Sequence, residues 1–244
     1  MSALHLRLAG ITRLALEGRG PRDAYVFDPH RLALPCWALA LEEHGGAAAQ
    51  LVTFDRHFDL AVPARPDQVP DQSAGVLALD AHARLALDVR NIDHVVAAME
   101  AGLVGDVLAL ARSNPPGALE TDSYRDRRGG VHQIERARSL EDWLDGGGRL
   151  ARAAGPVLLD VDLDCFTSPS DVDPRALLPW PAAQVRDHLL PQGSADFWGA
   201  LLPRTIALTL AREPYHCGGL LAAQRLLEVV APVLFGELLG AALA

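Results

Sequence analysis

Short apolar runs, each followed by polar residues, recur along the chain and predict the strands of a buried sheet. Each run has four to seven residues, a length that fits a strand covered on both faces. The predicted strands are 23–27 (DAYVF), 50–54 (QLVTF), 105–110 (GDVLAL), 156–159 (PVLL) and 204–210 (RTIALTL). A further strand is predicted at the start of the chain, in the segment LHLRLAG at 4–10.

Segments in which apolar residues have helical spacing lie between these runs. The predicted helices are 32–44, 92–102, 139–153, 181–189, 194–202 and 216–238. Strands that alternate with helices indicate an α/β fold, and we expect a three-layer αβα sandwich around a mainly parallel sheet. No segment has the length and composition of an interdomain linker, so residues 1–244 are predicted to form one domain.

Polar and charged side chains follow four of the predicted strands at the point where each strand ends. In a parallel sheet these carboxyl ends meet at one edge, where ligands bind. We therefore expect the four groups to be neighbours in space. They are Asp28 with His30; Asp55 with His57 and Asp59; Asp160 with Asp162 and Asp164; and Arg212 with Glu213.

Two of these groups have the chemistry of a metal site. The segment FDRHFD places Asp55, His57 and Asp59 at alternate positions, and LLDVDLDCF does the same with three aspartates. Like charges this close repel unless a cation or hydrogen-bond donors neutralise them. Carboxylate oxygens with imidazole nitrogens suit Mn(II) or a divalent ion of similar hardness. Either motif alone is more often a turn or a helix cap, but their joint occurrence at strand ends favours a metal site.

Composition excludes several classes of function. The net charge of −9 argues against nucleic-acid binding and is compatible with a cationic substrate. All 22 basic residues are arginine, which excludes a Schiff-base lysine and a P-loop lysine. Three widely spaced cysteines form no disulfide framework, so a cytoplasmic protein is expected. The apolar C-terminal segment is interrupted by charges, so no membrane association is expected.

The two aspartate motifs resemble those of the ureohydrolase (arginase) superfamily. FDRHFDL is similar to its Asp-x-His-x-Asp metal loop, and LLDVDLD to its later Asp-x-Asp strand end. DPHRLALPCW, with His30, Ala33, Leu34 and Trp37, and REPYHCGG near the C-terminus resemble the peptide-arginase branch. The resemblance extends from about residue 25 to about residue 225.

The resemblance implies an arginase-like fold with two Mn(II) ions. Carried over by position, His30, Asp55, Asp59 and Asp160 would bind one ion, and Asp55, His57, Asp160 and Asp162 the other. The third aspartate lies one residue closer than in ordinary arginases, so the pair Asp162 and Asp164 is an alternative to Asp160 and Asp162. In the first assignment Asp164 orients the ligands or relays a proton.

The resemblance also implies the reaction. Glu213 would bind a guanidinium, with His94 as a candidate proton shuttle and an arginine-containing peptide, such as a ribosomally made precursor, as substrate. No segment matches the loop that binds the α-amino and α-carboxyl groups of free arginine, which favours a peptide. A free small guanidino compound as substrate, or an inert metal-binding module of the same fold, are the alternatives, and oligomers are compatible with the sequence.

Overall fold

Apolar side chains on both faces of the central strands require that both faces be covered. The central strand Ala49–Asp55 is buried at every residue. Alternate residues of the sheet enter two separate apolar cores, one on each face. This arrangement gives three layers, with the sheet in the middle.

A computed structural model describes residues 8–17, 20–149, 154–173 and 176–240. The strands are β1 (Ile11–Ala15), β2 (Asp23–Phe27), β3 (Ala49–Asp55), β4 (Val104–Ala111), β5 (Glu120–Arg125), β6 (Val131–Ala137), β7 (Val157–Asp162), β8 (Thr167–Pro169), β9 (Leu177–Pro179) and β10 (Thr205–Ala211). The helices are α1 (Ala33–Glu43), α2 (Val76–Leu85), α3 (His94–Ala101), α4 (Leu140–Asp145), α5 (Ala182–Leu189), α6 (Ala195–Leu201) and α7 (Leu220–Ala231), and α7 continues as a π-helix over Pro232–Leu238.

Eight of these strands form one sheet in the order β1-β2-β10-β7-β3-β4-β6-β5, while β8 and β9 form a separate ribbon. The pairs within the sheet from β2 to β6 are parallel, and the two antiparallel pairs lie at its edges. Helices α1, α2 and α3 pack on one face, and α4 to α7 pack on the other. The predicted α/β fold with a mainly parallel sheet is therefore confirmed.

Several predicted boundaries are wrong. The helix predicted over 139–153 ends at Asp145, before three glycines, and residues 150–153 lie outside the described part of the chain. Residues 8–10 of the predicted first strand precede β1 without joining it, and residues 4–7 lie outside the described part. Helix α2 and the strands β5 and β6 were not predicted. β5 lies at the edge of the sheet and β6 beside it, and neither strand has a continuous apolar run.

Within the described ranges, no helix combines the length and the apolar character needed to cross a membrane.

Arg112, directly after β4, fixes the short 3₁₀ turn Leu163–Phe166 that follows β7. One terminal nitrogen of Arg112 donates to the backbone carbonyls of Cys165 and Thr167. Its guanidinium also lies 4.4 Å from the centre of the Trp180 ring. A partly buried cation with these partners holds the turn, and with it Asp164, against the sheet edge.

We expect Arg112→Met to lower the free energy of unfolding by about 1–3 kcal/mol, because two buried carbonyls lose a charged donor. Urea denaturation of both proteins measures the difference. Arg186→Met is the matched control, because Arg186 forms an exposed pair with Glu237, and its loss should change the free energy of unfolding much less. Equal losses for the two variants would contradict the role given to Arg112.

Candidate metal centre

The three middle strands β10, β7 and β3 bring the acidic residues to one edge of the sheet. Asp160 of β7 is in register with Thr209 of β10 on one side and with Thr53 of β3 on the other. Asp55 ends β3 and Asp162 ends β7, so both reach the carboxyl edge. The predicted convergence of these groups thus follows from strand order and register.

His30 is the centre of this acidic cluster. It lies fully buried in a 3₁₀ turn after β2, and its Nε2 lies 2.8 Å from Oδ2 of Asp160. A hydrogen bond to a carboxylate places a proton on Nε2, so in the neutral ring the lone pair is on Nδ1. Nδ1 faces carboxylate oxygens of Asp59 at 3.1 Å, Asp162 at 3.2 Å and Asp55 at 3.6 Å. Acceptors that surround a lone pair require a proton or a cation between them.

Two groups of potential ligands share Asp55. One group is His30, Asp55 and Asp162, and all three are buried. The other is Asp55, His57 and Asp164, in which His57 is exposed. Within each group the donor atoms lie within 4.8 Å of one another. A shared carboxylate between two such groups is the arrangement that bridges a pair of ions.

Asp160 lies behind His30, on the side of the sheet that α1 covers. Besides His30, its oxygens accept hydrogen bonds from the hydroxyls of Thr53, at 2.8 Å, and Thr209, at 2.5 Å. The Thr209 hydroxyl in turn accepts a hydrogen bond from the indole of Trp37 at 3.0 Å. This series of hydrogen bonds, from Trp37 through Thr209 to Asp160 and His30, supplies the Asp160 carboxylate with protein donors.

The residues present fit a divalent cation. Nδ1 of His30 and Oδ2 of Asp164 are buried atoms that have no hydrogen-bond partner in the described part of the chain. The surrounding donors are carboxylate oxygens and imidazole nitrogens, which suit Mn(II) or a metal of similar hardness. Four aspartates, Asp55, Asp59, Asp162 and Asp164, would balance the charge of two divalent ions.

Burial and mutual repulsion raise the proton affinity of the cluster. Burial, together with the charges of Asp59, Asp162 and Asp164, raises the pKa of Asp55 well above its usual value. Burial and Asp164 likewise raise the pKa of Asp162. Burial opposes a charge on His30, but Asp160 and the other carboxylates raise the pKa of His30 well above its usual value. In Asp59 and Asp160, burial is outweighed by His30, and the pKa of each carboxyl is lowered.

Glu213 lies beside this cluster at the carboxyl edge of β10. Its Oε1 accepts hydrogen bonds from the backbone N–H of His30, at 2.8 Å, and from the side-chain amide of Asn91. Its other oxygen, Oε2, lies 3.5 Å from Nε2 of His216. Burial raises the pKa of Glu213. One carboxylate oxygen is thus fixed by the protein, while the other faces a half-buried histidine.

A pocket of about 320 Å³ opens next to Glu213. Its lining residues come from the loops after β2 and β10 and from the segment before α3. They are Asp28, Pro29, Arg31, Val89, Asn91, Glu213, Pro214, Tyr215 and His216. Val89 and Tyr215 are largely exposed, so the mouth of the pocket is wide and partly apolar. Asp28 is paired with Arg212 at 2.7 Å.

The histidines near the cluster differ in access to water. His94 is fully buried, its Nδ1 donates to the carbonyl of Asn91 at 2.9 Å, and its ring lies 4.3 Å from that of His30. Burial and the neighbouring His30 lower the pKa of His94 to about 4. His216 is partly exposed and its ring lies 6.0 Å from that of His57. His216 therefore lies between Glu213, the metal cluster and solvent.

Backbone strain is concentrated at this site. In the described ranges, the non-glycine residues with a positive φ are Asp59 at 50°, Asn91 at 63° and Glu213 at 39°. A side chain in this region costs free energy and persists where the surrounding fold imposes it, commonly at functional sites. All three belong to the cluster or to the adjoining pocket.

The structure brings His30, Asp55, His57, Asp59, Asp162, Asp164 and Glu213 together around the edge, with Asp160 and His94 behind them. The sequence reasoning missed Asn91 and the two threonines beside Asp160. Thr53 and Thr209 each interrupt an apolar strand run, and a lone polar residue in such a run indicates a buried hydrogen bond. Asn91 carries no comparable sequence pattern.

Comparison with known proteins shows a structural likeness of low score. No protein-family model matches the chain, and no curated protein matches it. A crystal structure of a hypothetical agmatinase from Burkholderia thailandensis superposes with a TM-score of 0.42 at 16% sequence identity. The likeness covers 86% of this chain and 56% of that one, so the chain spans little more than half of its length.

The pKa shifts predict how the metal-free protein responds to pH. The raised pKa values of Asp55, Asp162 and His30 mean that the folded state binds more protons than the unfolded state. Their contribution to stability is present at low pH and is lost as the pH rises through the folded pKa values. The lowered values of Asp59 and Asp160 act in the opposite sense below about pH 4, and the lowered pKa of His94 does so between about pH 4 and pH 6.5.

In the presence of a chelator, the thermal midpoint should therefore fall between about pH 6.5 and pH 8. Saturating Mn(II) should remove or reverse this fall, because the ions replace the bound protons. Asp162→Asn serves as the comparison, since it removes one repelling charge and should flatten the chelator curve. A chelator midpoint that rises from about pH 6.5 to pH 8 would show that the cluster does not take up protons.

Proposed function

We propose that the protein hydrolyses the guanidinium group of an arginine side chain within a peptide, giving ornithine and urea, with two Mn(II) ions as cofactor. The observation that carries the proposal is the position of Glu213 beside a cluster able to hold two ions. A planar guanidinium is matched by a carboxylate, and no other common side chain recognises it as well. The proposal thus combines a cation-binding carboxylate with a site for hydrolytic metal ions.

Each metal ligand in this proposal keeps at least one ligand atom that forms no hydrogen bond within the described part of the chain, such as Nδ1 of His30 and Oδ2 of Asp164. His30, Asp55, Asp59 and Asp162 would hold the first ion, and Asp55, His57, Asp162 and Asp164 the second. Asp160 would hold His30 by its Nε2 and leave Nδ1 for the metal, a common role for a carboxylate next to a ligating histidine. The hydrogen bonds from Thr53 and Thr209 support this choice over the set that contains Asp160 and Asp162.

When bound, the ions lower the pKa of water and so supply a nucleophile near neutral pH. The protein's part is to orient the substrate and move protons. Glu213, with one oxygen held by His30 and Asn91, would fix the guanidinium plane through its other oxygen. His216 is placed to pass a proton to the leaving amine, because it touches Glu213 and reaches solvent. His94 is buried and neutral, and in this proposal it supports the ring of His30.

A wide pocket mouth favours a peptide over a small molecule. A small substrate is usually enclosed by its site, whereas here Tyr215 is 91% exposed at the rim and leaves room for a main chain on either side. A free small guanidino compound remains the alternative, and the experiments below separate the two.

The ligand assignment predicts different effects for substitutions of Asp160 and Asp164. Native protein reconstituted with Mn(II) should contain about two ions per chain by elemental analysis. Asp164→Asn should reduce this to about one, because it removes a ligand. Asp160→Asn should keep both ions at saturation but bind them about 10–100-fold less tightly, since it loosens His30. If Asp160→Asn lost an ion and Asp164→Asn kept both, the ligand set that contains Asp160 and Asp162 would be the correct one.

The reaction predicts a mass change in arginine peptides. Each converted arginine should lose about 42 Da, the mass difference between arginine and ornithine after urea is released by metal-assisted hydrolysis. Mass spectrometry of arginine peptides incubated with the Mn(II) protein measures this, beside urea assays on agmatine and free arginine. Urea from the small compounds without any change in the peptides would replace the peptide proposal by the small-molecule alternative.

Glu213→Gln should keep its manganese and lose activity by about a hundredfold or more, because the substrate loses its orienting charge. Glu228→Gln is the matched control, since Glu228 lies exposed on α7. The elemental analysis described above verifies the metal content of both variants. Full activity in Glu213→Gln would remove Glu213 from the mechanism.

A further inference from the structure

Arg31 is an unpaired cation in the pocket beside Glu213. One of its terminal nitrogens donates to the side-chain oxygen of Asn91 at 2.7 Å and lies 3.5 Å from the carbonyl of Val89. Both acceptors are neutral. Its Nε is buried and has no hydrogen-bond partner, and in the described part of the chain no carboxylate lies within 4.0 Å of its guanidinium.

The carboxylates of the pocket do not neutralise Arg31. Asp28 is engaged by Arg212, which donates to it at 2.8 Å and 2.7 Å. Glu213 is separated from Arg31 by Asn91, whose oxygen accepts from Arg31 and whose nitrogen donates to Glu213. The amide of Asn91 therefore holds the anionic Glu213 with its nitrogen and the cationic Arg31 with its oxygen. Both charged residues line the same pocket.

A partly buried arginine with neutral partners and an unused donor is suited to bind an anion. A substrate whose guanidinium lies at Glu213 must leave the pocket along a wall that includes Arg31. A second positive group on the substrate would be repelled there, whereas a carboxylate would be attracted.

We infer that Arg31 selects substrates that carry a carboxylate close to the guanidinium-bearing chain. This inference rests on the proposed function and makes it narrower. In a peptide the carboxylate has two sources: the side chain of an adjacent Asp or Glu, or the α-carboxylate of a C-terminal arginine. Arg31 acts as a specificity-determining residue, and it takes no part in bond cleavage.

The test uses pairs of substrates that differ mainly in the charge of one group near the guanidinium-bearing chain. 4-Guanidinobutyrate and agmatine share a guanidinium on a short alkyl chain and end in a carboxylate or an ammonium. N-acetyl-Arg-Glu-amide and N-acetyl-Arg-Lys-amide vary the side chain, and N-acetyl-arginine and its amide vary the α-carboxylate. In each pair, native protein should favour the carboxylate in kcat/KM by about tenfold or more, as for a hydrogen bond to a charged group.

Arg31→Gln removes the charge but keeps an N–H donor for Asn91. It should bring the preference close to one while activity on N-acetyl-arginine amide, which has no carboxylate, persists. Arg90→Met is the matched control, because Arg90 is exposed nearby and paired with Asp88 at 2.7 Å, and it should keep the preference. No preference in native protein, or one that survives in Arg31→Gln, would overturn the inference.

Calorimetric binding distinguishes this failure from failure of the proposed reaction. If no compound yields urea, but native protein binds 4-guanidinobutyrate more tightly than agmatine and Arg31→Gln does not, the inference about Arg31 is upheld and the reaction is wrong. If neither compound binds, both are wrong. The ratio of kcat/KM values in the two peptide pairs shows which of the two carboxylate sources is recognised better.

Discussion

The hydrogen bond between Asp160 and His30 is the constraint on which the rest of the site depends. It joins the middle of the sheet to the turn after β2, and it occurs beneath α1, out of contact with water. A buried carboxylate is costly unless donors surround it, and two threonines at matching register supply those donors. With Nε2 occupied in this way, only the opposite edge of the imidazole can face the other aspartates.

From that orientation the electrostatics of the edge follow. Asp55, Asp59 and Asp162 are gathered around one nitrogen, and each is too deeply buried to be relieved by solvent. Protons or metal ions must therefore accompany the fold. The same part of the fold holds the strained backbone at Asp59, Asn91 and Glu213. The site therefore costs free energy in two ways, through repulsion between buried charges and through backbone strain.

The sequence predicts the fold and the composition of the site better than it predicts the detailed roles of the residues. Buried parallel strands appear as apolar runs, and the end of each run gives the position of a polar cluster such as Asp55 or Glu213. Asp160, Asp162 and Asp164 alternate along the chain, so the pattern assigns them to one face of β7 but does not show which of them reach the edge. That depends on where β7 ends, at Asp162, and on the turn that follows it. Asn91 contacts both Arg31 and Glu213 through loops that are distant in the chain, which no local pattern reveals. Strands β5 and β6 were missed because they face water and their side chains alternate.

The strand order has a consequence for the order of events during synthesis. β2 pairs with β10, and the backbone of His30 hydrogen-bonds to Glu213 across 183 residues of chain. On the ribosome, the aspartates of β3 emerge long before those of β7, and neither group has its partners until β10 has been made. A nascent chain would thus offer metal ions only scattered carboxylates, and this edge of the sheet would be completed when β10 inserts between β2 and β7. Selection of a metal would then follow the insertion of β10, under the control of whichever ions the cell keeps freely exchangeable at that moment.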